Sequence, residues 1–495
     1  KEQGIDFSLI DEVEALERAK EIICQFSLDI KSKKFLEQIS LKKSGVEICW
    51  DCEMEEAAEF YQRSLQEKQQ MDFDDLLLET LKIVEADSST HLRKPFSYLL
   101  TDEFQDINPL QYRLIKAWNK GGKELFVIGD PDQAIYGFRG ADSKCFERLR
   151  QDFEEVRVIE LVENYRSTPE ILNTALSFIS YHSEKERILR ANQDAGEKVR
   201  LVKAGSPMGE AIFTAKEINR LAGGIGMLEA HEASQKERTI RSFDEIAVLY
   251  RTHREGELLE KSLRQEGIPY IKAGRESFLQ DETVRGSLHF FRYLEDTEKV
   301  SEKEKAISLL WGMEKNEISA VIAQQAQEMF QPLYEKKKPQ KFMELWIKEM
   351  KLEENEAMKK LADMTGFYKT MPEFSEALCL GTESDLRQCG NKNYKSGAVT
   401  LMTLHGSKGL EFPAVILYGV RDGMIPFESE NHTTDKEEER RLFYVGMTRA
   451  KEELILTSSG EPSQFLDEIP ETMIQKEETG KKKKEEKYCQ MSLFS

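Results

Sequence analysis

The stretch Leu99-Leu100-Thr101-Asp102-Glu103-Phe104-Gln105-Asp106 decides how the rest of the chain is read. It closes the apolar run Phe96 to Leu100 with two adjacent carboxylates. An apolar run of that length reads as a buried strand, and its carboxyl end is where open α/β sheets bind ligands. An acid pair so placed can hold Mg²⁺, directly or through its water, and orient or deprotonate an attacking water. The competing reading is a helix N-terminus enriched in acid because the macrodipole favours it.

The same grammar continues outward. Leu125 to Ile128 ends in Gly129-Asp130, and helical patterns at Pro109 to Trp118 and Thr168 to Ile179 alternate with these runs. Strand–helix alternation predicts an α/β fold with a mainly parallel sheet. Upstream, Ile10, Val13, Leu16, Ile23 and Phe26 recur at helical spacing, with Ser8 and Asp11 resembling a capping box. Two more helical runs hold Ala57, Phe60, Tyr61 and Leu65, then Phe73 to Leu78. A second alternating block has strands at Val199 to Val202, Ile246 to Tyr250 and Ile268 to Ile271, with helices near 209–222 and 254–266. From Val284 to Leu380 the pattern is helical throughout. Strand grammar returns at Val399 to Leu404, Ala414 to Tyr418 and Leu454 to Thr457. One α/β domain interrupted by a helical insertion accounts for this order. Beyond Thr457 periodicity is lost, and the Lys/Glu run Lys476 to Lys487 reads as disordered.

Composition narrows the classes. The 495 residues suggest roughly three domains. No run approaches the eighteen apolar residues of a membrane span, and no basic-then-apolar leader opens the chain. Seven irregularly spaced cysteines make no disulfide framework, so a cytoplasmic location is expected. Lys and Arg number 71 against 91 Asp and Glu, a net charge of −20. That balance argues against a coat of positive charge but leaves room for a local basic track. Cys49-Trp50-Asp51-Cys52 has metal-like spacing without a second pair, which argues against zinc.

Four further segments carry chemistry. Gly129-Asp130-Pro131-Asp132-Gln133 ends in an amide able to sense a γ-phosphate, and runs into Ala134-Ile135-Tyr136-Gly137-Phe138-Arg139-Gly140-Ala141. Aromatic faces beside a cation stack the bases of a single strand. Glu163-Asn164-Tyr165-Arg166-Ser167 offers an aromatic plane and a guanidinium. Val399 to Phe412 contains Thr403, His405, Lys408 and Glu411; Glu437 to Lys451 contains Arg440, Arg441 and Arg449. Outside any wider pattern, His405 reads as a satisfied polar residue, and Arg440 and Arg441 as solvated or salt-bridged.

In this order the segments resemble motifs II to VI of the UvrD/Rep family of superfamily 1 DNA helicases. Asp72-Phe73 and Ile246 to Thr252 resemble two further landmarks, and the likeness runs from Leu9 to Thr457. The resemblance implies an α/β architecture of two RecA-like P-loop NTPase domains, the first incomplete, with helical accessory insertions. Residues 1–70 would be the first insertion and 71–180 the remainder of the first RecA-like domain. Residues 181–283 and 398–460 would form the second, 284–397 its helical insertion and 461–495 a disordered tail. The insertion is shorter than the family's usual one. The implied activity is ATP-dependent 3′→5′ movement on single-stranded DNA, with ATP and Mg²⁺, serving DNA repair or replication at duplex junctions. Asp102 would serve Mg²⁺ and Glu103 would be the catalytic base, with Gln133 coupling the γ-phosphate to domain closure. Tyr165 would stack on adenine, Glu411 lie near the ribose, and Arg166 and Arg449 charge the phosphoryl transition state. Tyr136, Phe138, Arg139, Thr403, His405 and Lys408 would line the DNA track or couple it to the nucleotide. Phe138 stands where the family usually has Trp, keeping a stacking plane without the indole N–H.

The family's phosphate loop, GxxxxGK[ST], does not occur in this sequence: Gly122-Lys123 precedes Glu124, and Gly480-Lys481 precedes Lys482. The resemblance places that loop upstream of the helical region that opens at Lys1. Two expectations follow. One is the C-terminal part of a helicase, inactive alone, whose first sheet lacks its opening strands and shows an exposed edge. The other is an ATPase-inactive scaffold that binds DNA or a sliding clamp. The complete set Asp102, Glu103, Gln133, Arg166 and Arg449 favours the first. Finally, Gln490-Met491-Ser492-Leu493-Phe494 resembles the peptide by which bacterial repair proteins dock on the sliding clamp. Gln490 would bond at the pocket rim, with Met491, Leu493 and Phe494 supplying apolar contact on a polar tether.

Overall fold

The computed structural model describes residues 7–10, 12–86, 96–120, 122–181, 187–223, 240–272, 281–312, 317–334, 336–365, 368–380, 397–428 and 435–479. The chain divides into two units: one takes residues up to Arg241, Glu245–Ile268 and the chain from Thr403 onward, the other Ser242–Asp244 and Pro269–Met402. Among the described residues no helix is long and apolar enough to cross a membrane.

The first unit opens with β1 (Ser8–Leu9), α1 (Glu12–Gln25), α2 (Ser32–Lys43), α3 (Cys52–Glu67), β2 (Gln70–Met71) and α4 (Phe73–Ala86). The capping box expected of Ser8 and Asp11 lies partly outside the described residues, and Ser8 itself belongs to a strand. Its N–H joins the Gln69 carbonyl at 3.0 Å as β1 pairs in parallel with β2. A core of Ala19, Ile22, Phe35, Ala57, Tyr61 and Leu65 closes α1–α3. Then come β3 (Tyr98–Thr101), α5 (Pro109–Asn119), β4 (Glu124–Val127), α6 (Cys145–Asp152), β5 (Glu163–Asn164), α7 (Pro169–Ile179) and β6 (Arg190–Ala191). α5 starts where its sequence says it should: Pro109 opens it, and Asn108 and Gln111 form a reciprocal capping box.

β3 and β4 pair in parallel, Leu99 opposite Leu125 and Thr101 opposite Val127. Their inward residues Leu99, Leu125 and Val127 pack on Phe104, Ile107, Tyr112 and Ile115. The other face, Tyr98, Leu100 and Phe126, is exposed, Leu100 by 70%. Parallel sheets are normally covered on both faces, so this pair is half-clothed.

The rest of the unit is a parallel stack: β7 (Val199–Ala204), α8 (Pro207–Leu221), β8 (Ile246–Tyr250), α9 (Gly256–Gln265), then β11 (Phe412–Leu417), α16 (Lys436–Met447), β12 (Ala450–Ser459), α17 (Gln464–Asp467) and β13 (Ile474–Glu478). Its strand order is β13-β7-β12-β11-β8, with Ile416 between Val248 and Ile455. β8 is buried at every position, as a continuous apolar run in a central parallel strand should be. One expectation is corrected here. The stretch 461–479 is not a structureless tail, because α17 follows a Ser463 cap and β13 adds to the edge of β7. β13 is polar apart from Ile474, and Glu477 receives Arg200 at 2.9 Å; an edge strand of this kind leaves no hydrophobic period to detect.

In the second unit β9 (Tyr270–Lys272) pairs in parallel with β10 (Val399–Thr403). Between them run α10 (Glu282–Glu295), α11 (Val300–Trp311), α12 (Glu317–Tyr334), α13 (Pro339–Glu349), α14 (Glu356–Met364) and α15 (Met371–Leu380). Their core centres on Trp346, which lies 5.2 Å from Phe290, 5.0 Å from Phe291 and 4.8 Å from Phe330. Its indole N–H donates to the buried Ser287 hydroxyl at 3.0 Å.

Because Leu100 and Phe126 already face water, Leu100→Ser and Phe126→Ser should change unfolding stability by less than about 0.5 kcal/mol. They should also reduce binding of an apolar dye. A loss of several kcal/mol in urea unfolding contradicts the exposed face.

Candidate functional site

The carboxyl end of β3 delivers Asp102 and Glu103 to the surface. Glu103 has φ +51°, a left-handed conformation rare for a residue with a Cβ and one that clusters at functional sites. Its N–H donates to Asp102 Oδ1 at 2.9 Å, and its carboxylate receives Gln105 Nε2 at 2.5 Å. Gln105 is buried and its Oε1 accepts the Asp130 N–H at 3.0 Å, tying the two strand ends together. Gly129 is the residue that permits this approach, since a Cβ there would collide with Gln105 Oε1.

Past β4, Asp130 caps the turn Pro131–Gln133 and receives Gln133 Nε2 at 2.8 Å. Arg187 donates to Asp130 at 2.7 Å and also contacts Asp132. Burial works against its charge, yet the two carboxylates hold its pKa above the ordinary value.

From the other half of the unit comes Lys408, in the turn after β10. Its Nζ reaches Asp106 Oδ1 at 2.7 Å and Oδ2 at 2.5 Å, and the Gln133 carbonyl at 2.8 Å. Burial raises the Asp106 pKa although Lys408 pulls it down. The ammonium expected on a DNA track or at its coupling thus bridges the segments after β3 and β4, 5.0 Å from the centre of the Tyr136 ring.

Arg449 follows α16 and is buried. It donates to the carbonyls of Val445 at 3.0 Å and Leu410 at 3.1 Å, and its Nη2 lies 3.5 Å from Gln133 Oε1. Among the described residues no carboxylate pairs with it. Burial, then the nearby Arg166, pull its pKa down to about 10. Glu103 and Glu411 act on it from further off. Two neighbouring guanidiniums, one buried without a counter-ion, make a place for an anion.

Arg166 Nε donates to Glu411 at 2.8 Å, and Lys451 reaches the other oxygen at 2.5 Å. Lys451 first, then Arg166, hold Glu411 below the usual carboxylate range. Tyr165 is 72% exposed beside them. Asn164 Oδ1 fixes this turn by accepting the N–H groups of Arg166 at 3.1 Å and Ser167 at 3.0 Å.

The aromatic loop follows Gln133, with the Lys408 ammonium against its first ring. Tyr136 and Phe138 lie 6.0 Å apart, with the Arg139 guanidinium 5.5 and 5.6 Å from their centres. His405 meets the edge of Phe138 at 5.4 Å, and Thr403 accepts the Gly406 N–H at 3.2 Å. Burial, then Arg251 and Arg139, pull the His405 pKa down to about 4, so its ring is neutral at pH 7.

Thus Gln133, Arg166 and Glu411 lie around Arg449, Glu103 acts on the same guanidinium and Asp102 adjoins Glu103, while Tyr136, Phe138, Arg139 and His405 form a second cluster. Sequence reasoning assigned no role to Glu438 or Lys451, although both lie in the quoted segment Glu437 to Lys451, and it missed Arg187, which no quoted segment contains. It read Arg440 as solvated or salt-bridged; the ion pair is there, with Glu468, but the guanidinium is buried between Phe178 and Phe465. Asp102 is exposed and of the hard-oxygen chemistry that Mg²⁺ takes alongside phosphate oxygens, so the donor set fits that ion. Among the described residues no group of three or more His, Cys, Asp or Glu forms a metal cage by itself, Cys49 and Cys52 included. Gln490, Met491, Leu493 and Phe494 lie outside the described residues.

Two family models match this chain. The UvrD/REP helicase N-terminal domain matches residues 6–154, and the UvrD-like helicase C-terminal domain matches 159–304 and 296–461. Over 562 aligned positions the chain is 28% identical to the ATP-dependent DNA helicase PcrA of Staphylococcus epidermidis, covering 97% of this chain and 74% of that protein. The Staphylococcus aureus PcrA is 27% identical, with 96% and 74% covered. A solved C-terminal domain of a possible DNA helicase from Lactobacillus covers 63% of this chain and 98% of its own at 13% identity and a TM-score of 0.28, too distant to bear on the fold.

Two outcomes test this geometry. His405 should titrate near pH 4 by NMR and move upward in Arg139→Gln, where one repelling charge is gone. Its folded pKa lies below the unfolded value of about 6.5, so the folded state binds fewer protons in between. The stability tied to neutral His405 is therefore complete above about pH 6.5 and is lost as pH falls toward 4. Lys408→Met should cost about 3–5 kcal/mol by stranding Asp106, and Lys408→Met/Asp106→Leu should recover most of it. Equal unfolding midpoints for the single and double variants refute the bridge.

Proposed function

This chain belongs to the UvrD/Rep helicase family, and on that footing we propose that it couples ATP hydrolysis to 3′→5′ movement along single-stranded DNA in repair or replication. The observation that carries this reading is Arg449, a buried guanidinium without a carboxylate partner among the described residues, set beside Arg166 and Gln133. Such a charge is stable only against an anion, and a nucleotide's terminal phosphate is the anion that this family consumes. An arginine in that role is worth about 10³–10⁵ in rate.

The roles divide by chemistry. Glu103 takes the proton of the attacking water, and Asp102 would hold Mg²⁺, which when bound would neutralise phosphate charge. Gln133 joins the phosphate side to Arg449. Tyr165 offers an exposed ring for adenine, with Arg166, Glu411 and Lys451 forming the charged wall beside it. The exposed Phe138, with Tyr136 and Arg139, stacks bases of the single strand, and neutral His405 supports that platform. The location that fits such a motor is cytoplasmic. The terminal Gln490, Met491, Leu493 and Phe494 add a docking peptide for the sliding clamp.

One observation favours a second reading. GxxxxGK[ST] does not occur in the sequence, and its backbone N–H groups and lysine are what cradle the β- and γ-phosphates. Where no other segment supplies an equivalent, the alternative reading is an ATPase-inactive scaffold that binds DNA or the clamp. ATP hydrolysis with and without single-stranded DNA tests the motor reading. DNA-stimulated turnover by the 495 residues, abolished in Glu103→Gln and reduced at least about 10³-fold in Arg449→Ala, supports the motor. DNA binding without turnover under any condition removes the motor reading for these 495 residues, and is the outcome expected both of a scaffold and of the C-terminal part of a helicase.

A further inference from the structure

Helix α16 touches both clusters, and its first turns do something that neither role assignment uses. Glu438 Oε1 accepts the Gly137 N–H at 3.0 Å, in the middle of the aromatic loop. Arg441 Nε, one turn on, donates to the Ala134 carbonyl at 2.7 Å. The grip is close: a Cβ on Gly137 would come within 2.5 Å of Glu438 Oε2. At the far end the same helix leads into Arg449, beside Gln133. Twelve residues at about 1.5 Å each make a rod of roughly 18 Å. The next residue, Glu439, receives both Arg251 at 2.7 Å and the Phe427 N–H at 3.0 Å, so the rod is itself anchored.

We propose that Glu438 and Arg441 are positioning residues: from α16 they hold the Tyr136–Phe138–Arg139 loop in the shape that receives single-stranded nucleic acid. They tie its setting to the helix that ends at Arg449. This rests on the stacking role given to the loop above. In this role the carboxylate acts on the loop backbone and not on nucleic acid. A negative charge beside a phosphate backbone weakens binding, so a contribution of Glu438 to affinity must pass through the loop it holds.

The physical logic is that of two points on one segment. The Ala134 carbonyl and the Gly137 N–H flank Tyr136, and Gly140, at φ +83°, sits against Leu41 and Val46. Between these fixed points the exposed Phe138 and Arg139 are presented at little entropic cost on binding. Release of the Gly137 bond leaves that segment free to sample other shapes.

The test measures affinity of the full chain for a fluorescent oligothymidine by anisotropy across a salt series. Glu438→Ala should weaken binding about tenfold, although it removes a negative charge, and Glu438→Gln should restore most of it because the amide oxygen still accepts. Gly137→Ala should weaken binding similarly. The double variant Gly137→Ala/Glu438→Ala should be no weaker than either single, because both break one contact. The slope of log affinity against log salt should stay that of the parent, since no phosphate contact is lost. Additive losses, unchanged affinity, or tighter binding in Glu438→Ala overturn the inference while parent binding leaves the proposed function standing. A parent chain that does not bind the oligonucleotide overturns both.

Discussion

One ammonium group organises this molecule's centre. Lys408 is buried against Asp106 and the Gln133 carbonyl, and so joins the turn after β10 to the segments that follow β3 and β4. A charge in such surroundings is tolerable only because it is fully bonded, and that requirement fixes three separated stretches in one register. The rest of the constellation is built on this joint. Gln105 stitches β3 to β4 from within, Gly129 leaves the space for it, and Gln133 then lies where Arg449 can reach it.

The same centre contains a deliberate imbalance. Lys408, Arg187 and Arg251 all have carboxylate partners, whereas Arg449 is bonded to carbonyls, Thr448 and an amide. Carbonyls satisfy N–H groups but do not neutralise charge, which is why burial and Arg166 depress its pKa. A buried charge without a counter-ion costs stability, and such costs are common at functional sites. α16 extends the arrangement outward, because its two ends address the charged cluster and the aromatic loop.

Some of this is legible in the sequence. The strand and helix alternation around Asp102, Gly129 and Glu163 shows in the period of apolar residues, and the structure places elements at β3, β4, α5 and α7 within a few residues of those readings. The order of Asp102-Glu103, Gln133, Tyr165-Arg166, His405 and Arg449 identified the family that the models then matched. β13 was not legible: its edge position lets water-loving residues form a strand, so no period betrays it. Arg187 and Glu438 were not legible either, because a charged residue in a charged segment carries no mark of its partner.

What the sequence by itself determined is therefore the local order: which residues lie on strands, which turn ends carry acid, amide or aromatic groups, and which family shares that succession. These are near-neighbour properties of the chain, set by side-chain period and turn chemistry. Only the tertiary structure decided that Lys408 is spent on Asp106, that His405 is neutral, that Arg449 lacks a counter-charge among the described residues, and that Glu438 reaches Gly137 across 301 positions of sequence. Each depends on what burial places beside a charge. A pKa or an ion pair is a property of the surroundings, and the surroundings come into being only when distant segments meet.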